Sequence, residues 1–170
     1  MSNPGTLVVM GVSASGKTTI SNLLGAELDC HVLDADDLHP AANVEKMRAG
    51  IALDDADRLP WLQKVAAWIA EQRALQHRVV VSCSALKRRY RDVLRQADPD
   101  MVFVWLDVDR ATLEQRIGHR SGHFMPASLL DDQLATLEPP AADERAVRVV
   151  PKGPVEGTVA QIIAQLPALR

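Results

Sequence analysis

The sequence predicts an α/β fold, with a parallel sheet of five short strands between layers of helices. Three observations carry this. Five brief runs rich in Val and Leu recur along the 170 residues, long stretches with helical spacing separate them, and a glycine-rich turn joins the first run to the first helix. Near-continuous apolar runs suit strands buried on both faces, and alternation with helices suits a parallel sheet.

The strands are predicted at Thr6–Met10, 31–33, 78–82, 101–106 and 146–150. The first helix, Lys17–Leu28, opens directly from the glycine turn. A short helix over 41–49 ends at Gly50, a residue suited to the position after a helix. Pro60 fits the first turn of the next helix, in which Trp61, Leu62, Val65, Trp68 and Ile69 follow helical spacing and read as core. Further helices are expected over 86–96, 110–118, 127–137 and 157–166. The polar stretch Gly118-His119-Arg120-Ser121-Gly122-His123 reads as a mobile loop between helices, where a lid would sit. No repeat or interdomain linker interrupts the chain, so one domain spanning 1–170, with a lid at about 116–126, is expected.

Composition narrows the partners. A net charge of -3 and 4% aromatic residues argue against a nucleic-acid surface, which needs a basic face or stacking platforms. No apolar stretch approaches a membrane span, and the N-terminus lacks a signal-type pattern, so a cytoplasmic location is expected. Two cysteines, Cys30 and Cys83, are too few for a disulfide framework and read as reduced and largely buried.

The strongest motif is Gly11-Val12-Ser13-Ala14-Ser15-Gly16-Lys17-Thr18, between the first strand and the first helix. Two glycines, a lysine and a hydroxyl residue at these offsets form a phosphate-binding P-loop. The backbone through Gly11, Ser13, Ala14, Ser15, Gly16, Lys17, Thr18 and Thr19 would surround the phosphates of a nucleoside triphosphate. Lys17 would reach the β- and γ-phosphates, and the Thr18 hydroxyl would face Mg²⁺.

A second substrate should sit beyond the carboxyl ends of neighbouring strands. Asp34 and Asp36 lie two apart there, and in extended backbone they would point the same way. One carboxylate could hold Mg²⁺ through water and the other orient or deprotonate a hydroxyl; a solvated acidic turn is the other reading. Ser84 and Lys87 follow the third strand, either as site residues or as a helix cap and a surface cation. That strand does not end in Asp, so the metal carboxylate is expected from 34–37. Arg116 and Arg120 are either phosphate-binding lid arginines or exposed cations. His39 and His123 lie in polar loops without zinc spacing, and Arg58 is a candidate anion anchor.

Several blocks are more specific than the P-loop. Asp34-Ala35-Asp36-Asp37-Leu38-His39-Pro40, Asn43-Val44-Glu45-Lys46-Met47, Leu53-Asp54-Asp55-Ala56-Asp57-Arg58-Leu59-Pro60-Trp61-Leu62, Cys83-Ser84-Ala85-Leu86-Lys87-Arg88-Arg89-Tyr90-Arg91-Asp92, Gly122-His123-Phe124 and Gln133-Leu134-Ala135-Thr136-Leu137-Glu138-Pro139 together resemble the gluconokinase family. The resemblance runs from about residue 7 to the last helix. It implies ATP- and Mg²⁺-dependent phosphorylation of D-gluconate at its 6-hydroxyl, a nucleoside-monophosphate-kinase-like sheet of order 2-3-1-4-5, and a homodimer. It makes Asp36 the carboxylate facing the acceptor and gives Asp34 support of the metal or its loop. His39, Arg58, Ser84 and Lys87 would surround gluconate, with Arg58 on its carboxylate, while Arg116 and Arg120 would reach the phosphates. His123 would also lie near gluconate, and Pro151 near adenine. Ala14 and Thr18 depart from the glycine and serine common at these positions. Thr18 keeps the hydroxyl, whereas Ala14 restricts the backbone if that position needs positive φ. A shikimate-kinase-like enzyme and a non-catalytic ATP-binding regulatory module are the alternatives. A guanine-reading Asn-Lys-x-Asp element is absent, which disfavours a GTPase.

Overall fold

The computed structural model describes residues 5–119 and 128–166. Its five strands are β1 (Thr6–Met10), β2 (His31–Asp34), β3 (Val79–Ser82), β4 (Val102–Leu106) and β5 (Ala146–Val149). All pairings are parallel and the order is β2-β3-β1-β4-β5, the order the resemblance implies. The helices are α1 (Lys17–Leu28), α2 (Ala41–Arg48), α3 (Asp55–Ala74), α4 (Arg88–Arg95), α5 (Arg110–His119), α6 (Ser128–Thr136) and α7 (Val155–Gln165). None is long and apolar enough, among the described residues, to cross a membrane.

Strand alternation divides the core in two. Val8 and Met10 of β1 face Trp61, Val65 and Ile69 of α3, together with Leu94 of α4, Leu113 of α5 and Leu130 of α6. Leu7 and Val9 face the other way, onto Ile20 and Leu24 of α1 and Val159 and Ile162 of α7. Helices therefore cover both faces, which explains why β1, β3 and β4 carry almost no polar residues. Thr6 is an exception that is satisfied, since its hydroxyl donates to Asp98 Oδ2 at 2.7 Å.

Three local expectations are corrected. Helix α3 starts at Asp55, so Pro60 lies inside it rather than in its first turn. The cause is a capping box, in which Asp54 accepts from the Asp57 N–H and Asp57 from the Asp54 N–H. Helix α4 starts at Arg88 with Lys87 at its N-cap, so Ser84 does not cap it. Ala85 instead takes a left-handed φ of 45°, and the buried Arg91 guanidinium holds the Ala85 and Leu86 carbonyls at 2.8 and 3.3 Å. Beyond β2 the chain enters a 3-10 helix over Ala35–Leu38, where extended backbone was expected.

Gly25 marks a close approach of α1 to the sheet edge. A Cβ there would lie 2.2 Å from Val32 Cγ2 on β2 and 3.3 Å from the Cys30 carbonyl. Gly25→Ala should therefore destabilise the protein by about 1–3 kcal/mol through overpacking. Adding Val32→Ala should recover part of that loss, as urea unfolding of the two single variants and the double variant will measure; equal losses in Gly25→Ala and the double variant would locate the strain elsewhere.

Candidate active site

A cavity of about 370 Å³ opens at the carboxyl ends of β1, β2 and β3, as an open parallel sheet dictates. The P-loop forms one wall. Its backbone turns through positive φ at Gly11 (148°), Ala14 (68°) and Gly16 (99°). Gly11 has no room for a side chain, since a Cβ would lie 2.9 Å from Ser15 Oγ and 3.1 Å from the Leu106 carbonyl. Ala14 adopts the left-handed conformation despite its Cβ, at a cost of about 1–2 kcal/mol. Lys17 Nζ donates across the loop to the Val12 carbonyl at 2.9 Å. The N-cap of α1 is Gly16, which carries no side chain to bond the first amides of the helix, an arrangement that suits an anion. Ser15 is buried behind the loop, while Ser13, Ala14, Gly16, Lys17, Thr18 and Thr19 line the cavity.

The acidic wall follows β2. Asp34 Oδ1 accepts the Asp36 N–H at 3.0 Å, and Asp34 Oδ2 accepts the Thr18 hydroxyl at 3.2 Å. Asp34 thus caps the 3-10 helix and Asp36 sits within it. The parallel projection expected of extended backbone does not occur, because Ala35 is drawn into the core and its carbonyl accepts Trp61 Nε1 at 2.6 Å. Both carboxylates still line the cavity. The Thr18 and Asp34 oxygens form a hard, oxygen-only pair beside the phosphate loop, which fits Mg²⁺ completed by phosphate oxygens and water. No cluster of three or more His, Cys, Asp or Glu suited to a metal occurs among the described residues.

His39 stacks on Trp61 with ring centroids 4.1 Å apart, and its Nε2 lies 3.8 Å from Asp36 Oδ1. Asn43 Nδ2 donates to the Asp57 carbonyl at 3.0 Å and lies 3.2 Å from His39 Nδ1. Because the carboxamide nitrogen is a donor, Nδ1 accepts and the neutral ring carries its proton on Nε2, toward Asp36. Burial, reinforced by the Arg58 charge and opposed by Asp34, brings the His39 pKa down to about 4.

The cations diverge. Arg58 lines the cavity and donates to the Tyr90 hydroxyl at 2.9 Å, with its guanidinium 5.3 Å over the Tyr90 ring. The Tyr90 hydroxyl donates in turn to Asp55. Lys87 also pairs with Asp55, at 3.2 Å, and lies outside the cavity lining, whereas Ser84 lies within it. Arg116 Nη1 donates to the Ala14 carbonyl at 2.9 Å, which brings α5 onto the P-loop. Pro151 follows β5 without lining the cavity. Arg120, His123 and most of the expected lid lie outside the described residues. Cys83 is buried beneath the site, and burial pushes its thiol up to about 12. The sequence assigns Tyr90 and Gln133 no role and Trp61 only a place in the core; Gln133 accepts the Ser13 N–H at 2.6 Å. All three fall within the blocks that carry the resemblance, yet only folding brings Trp61 and Gln133 to the cavity and sets Tyr90 behind Arg58.

A glycine loop after the first strand of this sheet, facing paired carboxylates across one cavity, defines a P-loop protein of the small-molecule kinase class. Residues 7–140 match the family model described as an AAA domain. The chain is similar to the gluconokinase of Gluconobacter oxydans (strain 621H), 52% identical over 146 residues that make up 86% of this chain and 82% of that protein. Its fold is similar to that of a gluconokinase from Sinorhizobium meliloti 1021, with a TM-score of 0.86, 45% identity and coverage of 99% of this chain and 95% of that one. It is also similar to an unliganded sugar kinase from Janibacter sp. HTCC2649, with a TM-score of 0.90, 41% identity and coverage of 96% of both chains. The chain belongs to the gluconokinase family.

The His39 geometry has a measurable consequence. The folded pKa of about 4 lies below the ordinary value of 6.5, so between these values the unfolded chain binds more protons. Stability should therefore fall as pH drops through that window, by about 2 kcal/mol between pH 7 and pH 5. Denaturant unfolding at the two pH values checks this, and in His39→Gln the slope should flatten. An equal slope in wild type and variant would mean that His39 is not held neutral.

Proposed function

We propose that this chain transfers the terminal phosphoryl group of MgATP to the 6-hydroxyl of D-gluconate, giving 6-phospho-D-gluconate and ADP. The observation that carries this is the single cavity in which the P-loop, the Asp36 carboxylate and the Arg58 guanidinium share one space, in a member of this family. A triphosphate cradle supplies the donor site, a carboxylate faces a hydroxyl, and a cation receives the acceptor's carboxylate.

In this reading the loop amides from Ser13 to Thr19 bind the phosphates, with Gly11 and Ser15 setting the loop's shape. Lys17 leaves the Val12 carbonyl for the β- and γ-phosphate oxygens. Thr18 and Asp34 hold Mg²⁺, which when bound neutralises charge on the β- and γ-phosphates. Arg58, braced by Tyr90, pairs with the gluconate carboxylate and fixes which end of the chain of hydroxyls faces the donor. His39 Nε2 and Ser84 hydrogen-bond hydroxyls along the acceptor, and Lys87 joins them by exchanging Asp55 for substrate.

Asp36 orients the 6-hydroxyl and takes its proton as the oxygen attacks the γ-phosphorus. The bond to the bridging oxygen breaks in line, and its electrons leave with ADP. Little covalent work falls to the protein, so positioning and charge stabilisation dominate. Arg116 stabilises the phosphates from α5, after leaving the Ala14 carbonyl. Arg120 on the phosphates, His123 near gluconate and Pro151 beside adenine rest on the resemblance alone, as does a homodimer. A lid at about 116–126, a single kinase domain over 1–170 and a cytoplasmic location rest on the sequence pattern.

An ADP-release assay over D-gluconate, shikimate and nucleoside monophosphates tests the acceptor, and turnover with gluconate alone is expected. Lys17→Ala should lower kcat by about 10²–10³ while the protein stays folded. Asp36→Asn should lower kcat by about 10²–10⁴ with little change in ATP affinity. Full turnover in Asp36→Asn would remove that residue from the chemistry, and preference for another acceptor would overturn the substrate.

A further inference from the structure

The two helices that flank residues 120–127 each engage the phosphate loop, and they do so at adjacent residues. Arg116 of α5 donates to the Ala14 carbonyl at 2.9 Å, while Gln133 of α6 accepts the Ser13 N–H at 2.6 Å. The second contact is the unusual one. An N–H of the phosphate loop is a donor that an anion would use, and here a side-chain carbonyl occupies it. The partner is an N–H, so the atom facing it is the carboxamide oxygen.

A phosphate oxygen and a carboxamide oxygen are both acceptors and compete for one donor. Ser13 lies ahead of Gly16 and Lys17 in the loop and lines the same cavity as Asp36. A terminal phosphate placed for transfer toward Asp36 comes nearer to this N–H than the inner phosphates, which the amides at the start of α1 receive. Leu129 and Asp132, on the same helix as Gln133, also line the cavity, so the bond to Ser13 sets one of its walls.

We propose that Gln133 is a positioning residue that reports the donor's terminal phosphate to helix α6. Without that phosphate, its carboxamide caps the Ser13 N–H and holds α6 against the loop. When a triphosphate binds, the γ-phosphate takes the Ser13 N–H and the carboxamide is displaced, moving the α6 wall beside the acceptor. A diphosphate leaves the cap in place. The proposal rests on the ATP-dependent kinase reading above, and it adds a residue whose effect separates triphosphate from diphosphate.

Calorimetric titration with Mg²⁺ and either β,γ-imido-ATP or ADP tests it on wild type, Gln133→Met and Gln133→Glu. Methionine keeps the length of the side chain but removes the cap, so affinity for the triphosphate relative to ADP should rise about threefold to tenfold. Glutamate keeps the acceptor, strengthens it with charge and repels the phosphate, so the same ratio should fall at least about fivefold. A helix-packing role alone would move both affinities together, and an unchanged ratio in both variants overturns the proposal. An independent readout on wild type is the Ser13 amide resonance, which should move much further with the triphosphate than with ADP; equal movement overturns the proposal without any variant. If wild type binds neither nucleotide, the kinase reading itself fails. If it binds both with the ratio unmoved by the variants, only the role of Gln133 fails.

Discussion

Three strand ends converge on Gly11, and the site depends on that convergence. Its N–H donates to the Ser84 carbonyl beyond β3 at 3.3 Å, and its missing side chain leaves room for the Leu106 carbonyl at the end of β4. A methyl group at this position would press on β4 and on Ser15 together, in a backbone already at positive φ. The phosphate loop and the Ser84 loop are thereby locked to each other. In the proposed function donor and acceptor sites thus share one origin, which lets an in-line reaction rely on position.

A second constraint is electrostatic. Arg91 is fully buried in α4, where it pairs with Glu144 and fastens the carbonyls of the Ala85–Leu86 turn. Burial raises the Glu144 carboxyl, but hydrogen bonds from Arg91, Arg95 and the Ala141 N–H outweigh it and bring the pKa down to about 2. Glu138 adds a second tie, since its N–H donates to the Leu86 carbonyl at 2.7 Å and its side chain accepts the Arg88 N–H at 3.0 Å. The segment after α6 is thus strapped to the turn that presents Ser84, and the strained φ of Ala85 is held by charge in a region of low dielectric.

The architecture was readable because its signals are local. Val-rich runs mark strands buried on both faces, and the spacing of Gly11, Gly16, Lys17 and Thr18 marks the loop. The concern over Ala14 was also legible, and the backbone there does take the left-handed conformation. What escaped depends on contacts distant in sequence or on competing turn chemistry. Pro60 suggested a helix start, but the reciprocal bonds of Asp54 and Asp57 begin the helix five residues earlier. Asp34 and Asp36 looked like neighbours on a strand, but a buried Ala35 bonded to Trp61 turns the chain between them. Lys87 read either as a site residue beside Arg58 or as a surface cation, and only the fold reveals that it pairs with Asp55. No periodicity brings Gln133 to Ser13 across 120 positions.

In the proposed function the orientation of gluconate follows from two points, Arg58 at the carboxylate and Asp36 at the hydroxyl facing the phosphate. The position of phosphorylation is therefore the property that joins donor loop, acid wall and cation. It is read most directly by NMR of the product formed from MgATP and carbon-13-labelled D-gluconate. Phosphorus coupling should appear at C6, with stoichiometric ADP. Coupling at any other carbon, or inorganic phosphate in place of a phosphorylated sugar acid, would contradict the assignment of Asp36 and Arg58 to opposite ends of one substrate.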